Sequence, residues 1–194
     1  MNFTDFTGIA GIAFAFTLLI SQLRVISGMQ PNYRLGLATA LITVLLIPFG
    51  ALSLAEILRG LLGDLSSTSL LMLVLALRIN TDALQHRNLK IFIALLALAL
   101  FPFALGIGMF DPYRLGFGNP WFIAGLLVMS LSAYYLRQTY IALSITLAVL
   151  AWSIGWGEAN NVWNYLLDSW LGIYALGSFL TLLGKAVVRK LSAS

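Results

Sequence analysis

Polar and aromatic side chains that could bind a ligand are concentrated in the segment 156–170. If a helix begins near Asn161, then Asn161, Asn164 and Asp168 fall on one face, because residues three and four apart are neighbours on a helix. Amides beside a carboxylate can hydrogen-bond a polar headgroup, a sugar or a partner protein. The alternative is structural: Asp168 would compensate the helix N-terminal dipole and bond to a neighbouring helix. A second face of this helix carries aromatic rings: Trp163, Trp170 and Tyr174.

A second group of candidate residues follows residue 110. Asp111 and Pro112 predict a type I turn, since proline presets the backbone angle and the aspartate can cap the turn. Tyr113 and Arg114 come next, and the Arg114 guanidinium could bind a phosphate group. An ion pair within the chain is the alternative for Arg114. The acids that could accept that pair are Asp111, Glu158 and Asp168.

Glu56 and Arg59 lie three residues apart on one predicted helix, and we interpret them first as a local ion pair.

The numbers of cysteine and histidine residues exclude several kinds of site. The chain has no cysteine, which excludes disulfides, thiolate nucleophiles and iron–sulfur clusters. With His86 as the single histidine, a haem held by two histidines and a three-histidine metal site are excluded as well. We therefore expect no metal or other cofactor, and we assign no catalytic residue.

The composition predicts a helical protein embedded in a lipid bilayer. Apolar residues make up 60% of the 194 residues and charged residues 9%, against about 45–50% and 25% in soluble domains. So few charges cannot cover the surface of a small globule in water. The net charge of +4 does not indicate nucleic-acid binding, because the basic residues lie beside apolar runs rather than in one patch.

The length predicts one membrane-embedded domain, residues 1–194. Apolar runs of about 20 residues are long enough to cross a bilayer. The sequence predicts about seven such spans, with six as the lower bound. They cover about 6–23, 36–58, 61–78, 91–110, 121–136, 139–156 and 164–184. The first run lacks the basic segment and cleavage site of a signal peptide and is expected to stay as a helix.

The distribution of basic residues predicts the orientation of these spans, because Lys and Arg are enriched in cytoplasmic loops. With seven spans and the N-terminus outside, nine of the eleven basic residues fall on the cytoplasmic side, together with the C-terminus. Those nine are Arg24, Arg34, Arg78, Arg87, Lys90, Arg137, Lys185, Arg189 and Lys190. Only Arg59 and Arg114 fall outside. A bacterial cytoplasmic membrane is the expected location.

The tryptophans all fall at the predicted outer ends of the spans. They are Trp121, Trp152, Trp156, Trp163 and Trp170. An interfacial belt of aromatic rings accounts for any one of them. Such a belt would mark both interfaces, however, and the predicted inner interface has tyrosines but no tryptophan. The outer rim is therefore the surface on which we expect a ligand or partner to bind.

Three classes of function agree with these features. The first is a non-catalytic accessory, assembly or scaffold subunit, with a membrane-protein partner or a second copy of the chain. The second is a small-solute transporter or substrate-capturing component with a pocket open to the outside. The third is an enzyme or binding protein for lipid-linked or glycan substrates at the outer leaflet. Ion-coupled transport is disfavoured, because no predicted span carries an ionisable residue at its centre.

Because the chain has no cysteine, its topology can be tested by labelling single introduced cysteines. Asn161→Cys and Ser192→Cys are expected to react with an impermeant maleimide from opposite sides of the membrane, with Asn161→Cys reacting from outside. Labelling of both positions from the same side would show that the chain is not divided into two spans at Arg137.

Overall fold

The computed structural model describes most of the chain, and the described part confirms the all-helical class. It covers residues 3–77, 82–109 and 111–191. Some predictions lie outside the described residues: the cytoplasmic position of Arg78, the side chains of Arg24 and Lys190, and the last residue of each predicted span 61–78 and 91–110.

The chain forms helices joined by short connections. In chain order they are α1 (Phe3–Ser21), α2 (Arg24–Ser27), α3 (Pro31–Leu46), α4 (Leu54–Leu62), α5 (Ser67–Leu77), α6 (Ala83–Ala104), α7 (Pro120–Tyr135), α8 (Thr139–Ser153), α9 (Trp163–Leu166) and α10 (Ser169–Leu191). Two short strands, β1 (Pro48–Phe49) and β2 (Leu52–Ser53), pair antiparallel between α3 and α4. A 3₁₀ turn covers Pro112–Gly116.

In the part of the chain that the structure describes, three helices are long and apolar enough to cross a bilayer: α1, α6 and α10. At 1.5 Å per residue they measure roughly 28–34 Å, close to the ~30 Å thickness of the hydrocarbon core. Helices α4 and α5 meet the same test only as one broken span, and they are bent by 117°. Helices α7 and α8 are shorter apolar helices of 16 and 15 residues.

The predicted span 36–58 is wrong as a single helix. Helix α3 begins earlier, at Pro31, and ends at Leu46. It ends there because a proline disfavours helical backbone in the residue before it, and Ile47, which precedes Pro48, is extended (φ −68°, ψ 127°). The chain then turns through β1 and β2 before α4 begins. The proline therefore ends a helix instead of kinking one.

The chain around His86 is helical, because α6 begins eight residues before the predicted span 91–110. The Asp82 carboxylate caps the helix by accepting from the backbone N–H groups of Leu84 and Gln85. His86 and Lys90 therefore lie on α6. The His86 ring packs edge-on against Tyr140 on α8, with ring centroids 5.3 Å apart.

The predicted span 164–184 is interrupted near its start. Helix α9 ends at Leu166, and Leu167 is extended (φ −149°, ψ 122°). Helix α10 begins after Asp168, whose Oδ1 accepts from the backbone N–H of Leu171 at 2.8 Å. Asp168 is thus the N-cap of α10, which satisfies one of the unpaired donors of the first turn.

The predicted break at Arg137 is confirmed, with α7 ending at Tyr135 and α8 beginning at Thr139. Arg137 adopts the left-handed conformation (φ 60°) that commonly follows the last residue of a helix. The Ser130 hydroxyl donates to the Ala142 carbonyl at 3.2 Å across the resulting helical hairpin. Such interhelical hydrogen bonds stabilise packing where water is absent.

One end of the bundle carries all five tryptophans, and we call it the tryptophan end. Helices α1, α5, α7 and α10 begin there, and α3, α6 and α8 end there. Hydrogen bonds connect these helix ends: the Thr7 hydroxyl donates to the Trp156 carbonyl, and Trp170 Nε1 donates to the Leu62 carbonyl at 3.3 Å. We call the opposite end the far end.

Apolar packing divides the bundle into two units. In the first unit, α1, α3 and α4 pack around a small cluster: Ile9, Ile12, Ala13, Leu45 and Ala55. In the second unit, α5 to α10 pack around a larger cluster, whose most buried members include Leu89, Ile93, Ile145 and Leu166. The two clusters are separate, and a cavity lies between them at the tryptophan end.

Candidate functional site

Arg59 on α4 is the centre of an ion-pair network at the tryptophan end. Its guanidinium lies 2.6 Å from Asp64 Oδ1 and 2.8 Å from Glu158 Oε1, and a third, longer pair joins it to Asp5 at 3.4 Å. The Asp64 hydrogen bond raises the pKa of Arg59 above its ordinary value, so the side chain stays charged. The network joins α1, α4 and two loops. The interpretation of Arg59 as the partner of Glu56 is wrong.

Glu56 has a local structural role instead. The Ser53 backbone N–H donates to Glu56 Oε2 at 2.6 Å, and the Glu56 N–H donates to Ser53 Oγ at 3.2 Å. This reciprocal pair is a capping box at the start of α4. Glu56 is therefore held in place by the backbone it caps and does not reach the Arg59 guanidinium.

Asp168 binds the N-terminus of α5 as well as that of α10. Its Oδ2 accepts from the Ser66 backbone N–H at 2.9 Å, from Ser66 Oγ at 2.8 Å and from Ser69 Oγ. Charge-assisted hydrogen bonds of this kind are about twice as strong as neutral ones. The structural alternative for Asp168 is therefore confirmed, while its predicted alignment with Asn161 and Asn164 on one helix is wrong, since the chain breaks at Leu167.

Asn161 is buried and connects the two loops on either side of α7 and α8. Its Nδ2 donates to the Tyr113 carbonyl at 2.9 Å, and the Val162 N–H donates to the Gly116 carbonyl at 2.9 Å. Trp163 is also buried, and its Nε1 donates to a carbonyl of the same loop. Both predicted candidates therefore hold the 3₁₀ turn in place rather than face a ligand.

The loop that carries Glu158 is fixed by Tyr165. The Tyr165 hydroxyl accepts from the Gly157 N–H at 3.0 Å and lies 3.0 Å from the Gly157 and Ala159 carbonyls, to which it can donate. Partial burial raises the pKa of Tyr165 above its ordinary value, and the hydrogen bond with Gly157 opposes that effect. The neutral hydroxyl therefore persists into alkaline pH and keeps both hydrogen-bonding functions.

A cavity of about 760 Å³ lies beside this network, between α1 and the helices α5, α6 and α10. Its lining is polar toward the loops, where Asp64, Glu158 and Asp168 face it. The rest of the lining is mostly apolar and includes Leu100, Phe101, Leu105 and Ile173; Leu100 is buried, whereas Leu105 and Ile173 are largely exposed. A lining that combines carboxylates with apolar side chains is expected for a site that binds an amphipathic molecule.

Five of the predicted candidates line this cavity. They are Tyr113, Trp156, Glu158, Asn164 and Asp168. Two of them contact each other, since the Tyr113 hydroxyl donates to Asn164 Oδ1 at 3.0 Å. The other candidates do not line the cavity: Glu56, Arg59, Asp111, Arg114, Asn161, Trp163 and Trp170.

Arg114 and Asp111 do not form the ion pair that the sequence offered as an alternative. Within the described stretches of the chain, Arg114 makes no ion pair and is exposed on the 3₁₀ turn. Asp111 caps that turn, because its Oδ1 accepts from the Tyr113 N–H at 3.0 Å. The predicted capping of this turn is thus confirmed, and the predicted pairing of Arg114 is not observed.

Sequence reasoning missed four residues of this site. Asp64 and Tyr165 were outside the candidate set because neither belongs to a local pattern. Gly8 and Gly11 lie three residues apart on α1. This spacing of small residues is a recognisable sequence pattern, since it permits close approach of a neighbouring helix. A methyl group added at Gly8 would overlap the Arg59 guanidinium, whereas one added at Gly11 would enter open space.

No group of three His, Asp or Glu side chains in the described part of the chain is arranged to hold a metal ion. Comparison with protein-family models, with curated proteins and with solved structures finds no match to the chain. The proposals that follow are therefore derived from its own residues.

Gly116→Ala should destabilise the protein, because a methyl group at Gly116 would overlap the buried Asn161 amide and the Trp163 ring. We expect a loss of about 1–3 kcal/mol, as for other overpacked sites. Gly125→Ala is the matched control, since its methyl group meets nothing within 4 Å and alanine favours the helix by up to ~1 kcal/mol. Thermal unfolding of both variants in one detergent measures the difference. An unchanged midpoint for Gly116→Ala would contradict this packing of the loops.

Arg59→Gln should lower the free energy of unfolding, because it removes the cation with which Asp5, Asp64 and Glu158 are paired. Breaking a fully buried pair costs about 3–5 kcal/mol. We expect about 2 kcal/mol here, because the Glu158 side chain is 60% exposed. Arg114→Gln removes the same charge from an exposed arginine without an observed pair and should change stability by less than about 0.5 kcal/mol. Equal effects in the two variants would show that the network does not stabilise the fold.

Proposed function

We propose that the chain is a multi-pass membrane protein that captures a small amphipathic molecule from outside the membrane in the cavity at the tryptophan end. The observation that carries this proposal is a cavity lined both by carboxylates and by apolar side chains. Its volume of about 760 Å³ lies within the range of roughly 300–1,000 Å³ that is usual for small-molecule sites.

The proposed topology has seven crossings, made by α1, α3, α5, α6, α7, α8 and α10, with α4 lying along the outer surface. Of these, α1, α6 and α10 are of full span length, and the shorter helices would cross where the bilayer is locally thinner. The alternating direction of these helices supports this count. Basic residues at the far end support an outward-facing tryptophan end, because Lys and Arg favour the cytoplasmic side. They include Arg34, Arg87, Arg137, Lys185 and Arg189. A bacterial cytoplasmic membrane, with the bilayer itself as the first partner, fits this arrangement.

The carboxylates that line the cavity are already paired or hydrogen-bonded, and this favours a binding function over a catalytic one. Asp64 and Glu158 are paired with Arg59, and Asp168 accepts four hydrogen bonds. Acids held in this way are poor general bases, because proton transfer would break their interactions. Arg114, the predicted phosphate ligand, does not line the cavity, which weakens the case for a lipid-linked phosphate substrate.

An accessory or scaffold subunit is the second candidate. It is favoured by α3, which packs on α1 and α4 and leaves exposed the large apolar side chains of Leu35 and Val44. That face could contact a partner protein or a second copy of the chain within the bilayer. Under this candidate the cavity is incidental, and filling it would leave function unchanged.

Gly11→Phe is designed to fill the cavity, because Gly11 lines it and a Cβ atom added there meets no atom within 4 Å. The wild-type protein in phosphatidylcholine nanodiscs would be heated with four decyl amphiphiles: decyltrimethylammonium, decylphosphocholine, decyl maltoside and decyl sulfate. At least one should raise the unfolding midpoint by roughly 5–10 °C at a concentration of about 100 Kd. Gly11→Phe should abolish the increase.

Gly125→Phe is the matched control, since Gly125 is a helical glycine with open space around it and does not line the cavity. It should keep the full increase in the unfolding midpoint. If none of the four amphiphiles stabilises the wild-type protein, or if Gly11→Phe responds like the wild type, the proposed binding function is wrong.

A further inference from the structure

The charged residues that line the cavity all have the same sign. Asp64, Glu158 and Asp168 contribute to the lining, and no Lys, Arg or His does so in the described part of the chain. From this asymmetry, and resting on the binding function proposed above, we infer that the ligand is an organic cation with an apolar body.

Arg59 does not cancel the negative charge at the opening. Its guanidinium contributes +1 against the two lining carboxylates with which it pairs, those of Asp64 and Glu158, which leaves a net charge of −1 for these three residues. The guanidinium lies behind the lining, against Gly8, and its side chain is 14% exposed. Together with Asp168, which also lines the cavity, these residues present a net negative charge to a ligand.

Glu158 is the residue placed to receive the positive group of the ligand. One carboxylate oxygen, Oε1, binds Arg59 at 2.8 Å, and in the described stretches the other, Oε2, takes part in no hydrogen bond or ion pair. With 60% of its side chain exposed, Glu158 can approach a ligand without losing its pair with Arg59. Asp168 cannot act in this way, because both of its oxygens are occupied by donors from Ser66, Ser69 and Leu171.

Aromatic rings add a second interaction that selects cations. Tyr113, Trp156 and Tyr165 line the polar part of the cavity, and the face of an aromatic ring attracts a cation by about 0.5–2 kcal/mol. Leu100, Phe101, Leu105 and Ile173 in the apolar part of the lining would cover an apolar body. Carboxylates and rings beside an apolar surface together fit an ammonium or phosphonium compound better than a neutral amphiphile. An anion would be repelled.

Tetraphenylphosphonium and tetraphenylborate provide a direct test, because the two ions have nearly the same size and shape and opposite charge. Binding of each would be measured by equilibrium dialysis against the full-length protein in phosphatidylcholine nanodiscs, with empty nanodiscs subtracted. We expect the cation to bind at least tenfold more tightly than the anion. Gly11→Phe should remove the protein-dependent binding of the cation.

Glu158→Gln should weaken binding of tetraphenylphosphonium about tenfold, while Asp111→Asn should change it less than twofold. Asp111 is a matched control because it lies at the same end of the bundle, does not line the cavity, and can be replaced by an amide that still caps the 3₁₀ turn. Glu158→Asp, which keeps the charge, should restore most of the binding. An unfolding midpoint for Glu158→Gln close to that of the wild type would separate lost binding from lost folding.

Equal or tighter binding of tetraphenylborate would overturn the assignment of a cationic ligand, as would equal losses in Glu158→Gln and Asp111→Asn. Either result would leave the binding function standing if another amphiphile of the decyl panel stabilises the wild type and loses its effect in Gly11→Phe. If none of the four decyl amphiphiles stabilises the wild-type protein, the proposed binding function itself is wrong.

Discussion

The contact of one guanidinium with three carboxylates holds the two halves of this bundle together at the tryptophan end. Arg59 belongs to the unit built from α1, α3 and α4, whereas Glu158 belongs to the unit built from α5 to α10. The apolar clusters of the two units are separate, but α1 packs directly on α5, and the Arg59–Glu158 pair adds a polar contact between the units at this end. The Thr7 hydroxyl, which donates to the Trp156 carbonyl, reinforces the same junction.

The cavity is a consequence of that arrangement. Two apolar clusters that pack independently leave a gap where they meet, and the ion pairs bridge the gap without filling it. Two glycines on α1 have opposite effects there: Gly8 lets the helix approach the Arg59 guanidinium closely, and Gly11 leaves open space beside the cavity. Unfilled space beside apolar side chains costs stability, and a bound amphipathic molecule would recover part of that cost.

The sequence predicts the helical class, the helical hairpin at Arg137 and the clustering of the tryptophans, because hydropathy and turn residues act locally. Two helix boundaries that the predicted spans missed also have local sequence signals. Pro48 ends α3, and Ser53 and Glu56 have the spacing of a capping box at the start of α4. The break at Leu167 has a local signal as well, since Asp168 is a favoured N-cap residue, but its carboxylate also binds Ser66 and Ser69 about 100 residues away in sequence. Of the partners of Arg59, Asp64 is five residues away, outside the spacing of neighbours on a helix. Glu158 is 99 residues away and has no local signal.

Helices α6 and α8 show how local chemistry places the loops that form the site. Both end at a glycine in the left-handed conformation, Gly106 (φ 86°) and Gly155 (φ 62°). The N–H one residue later then donates back into the helix, from Ile107 to the Pro102 carbonyl and from Trp156 to the Ala151 carbonyl, both at 2.9 Å. Because both helices end at the same end of the bundle, their loops meet there, and Asn161 can join one loop to the other.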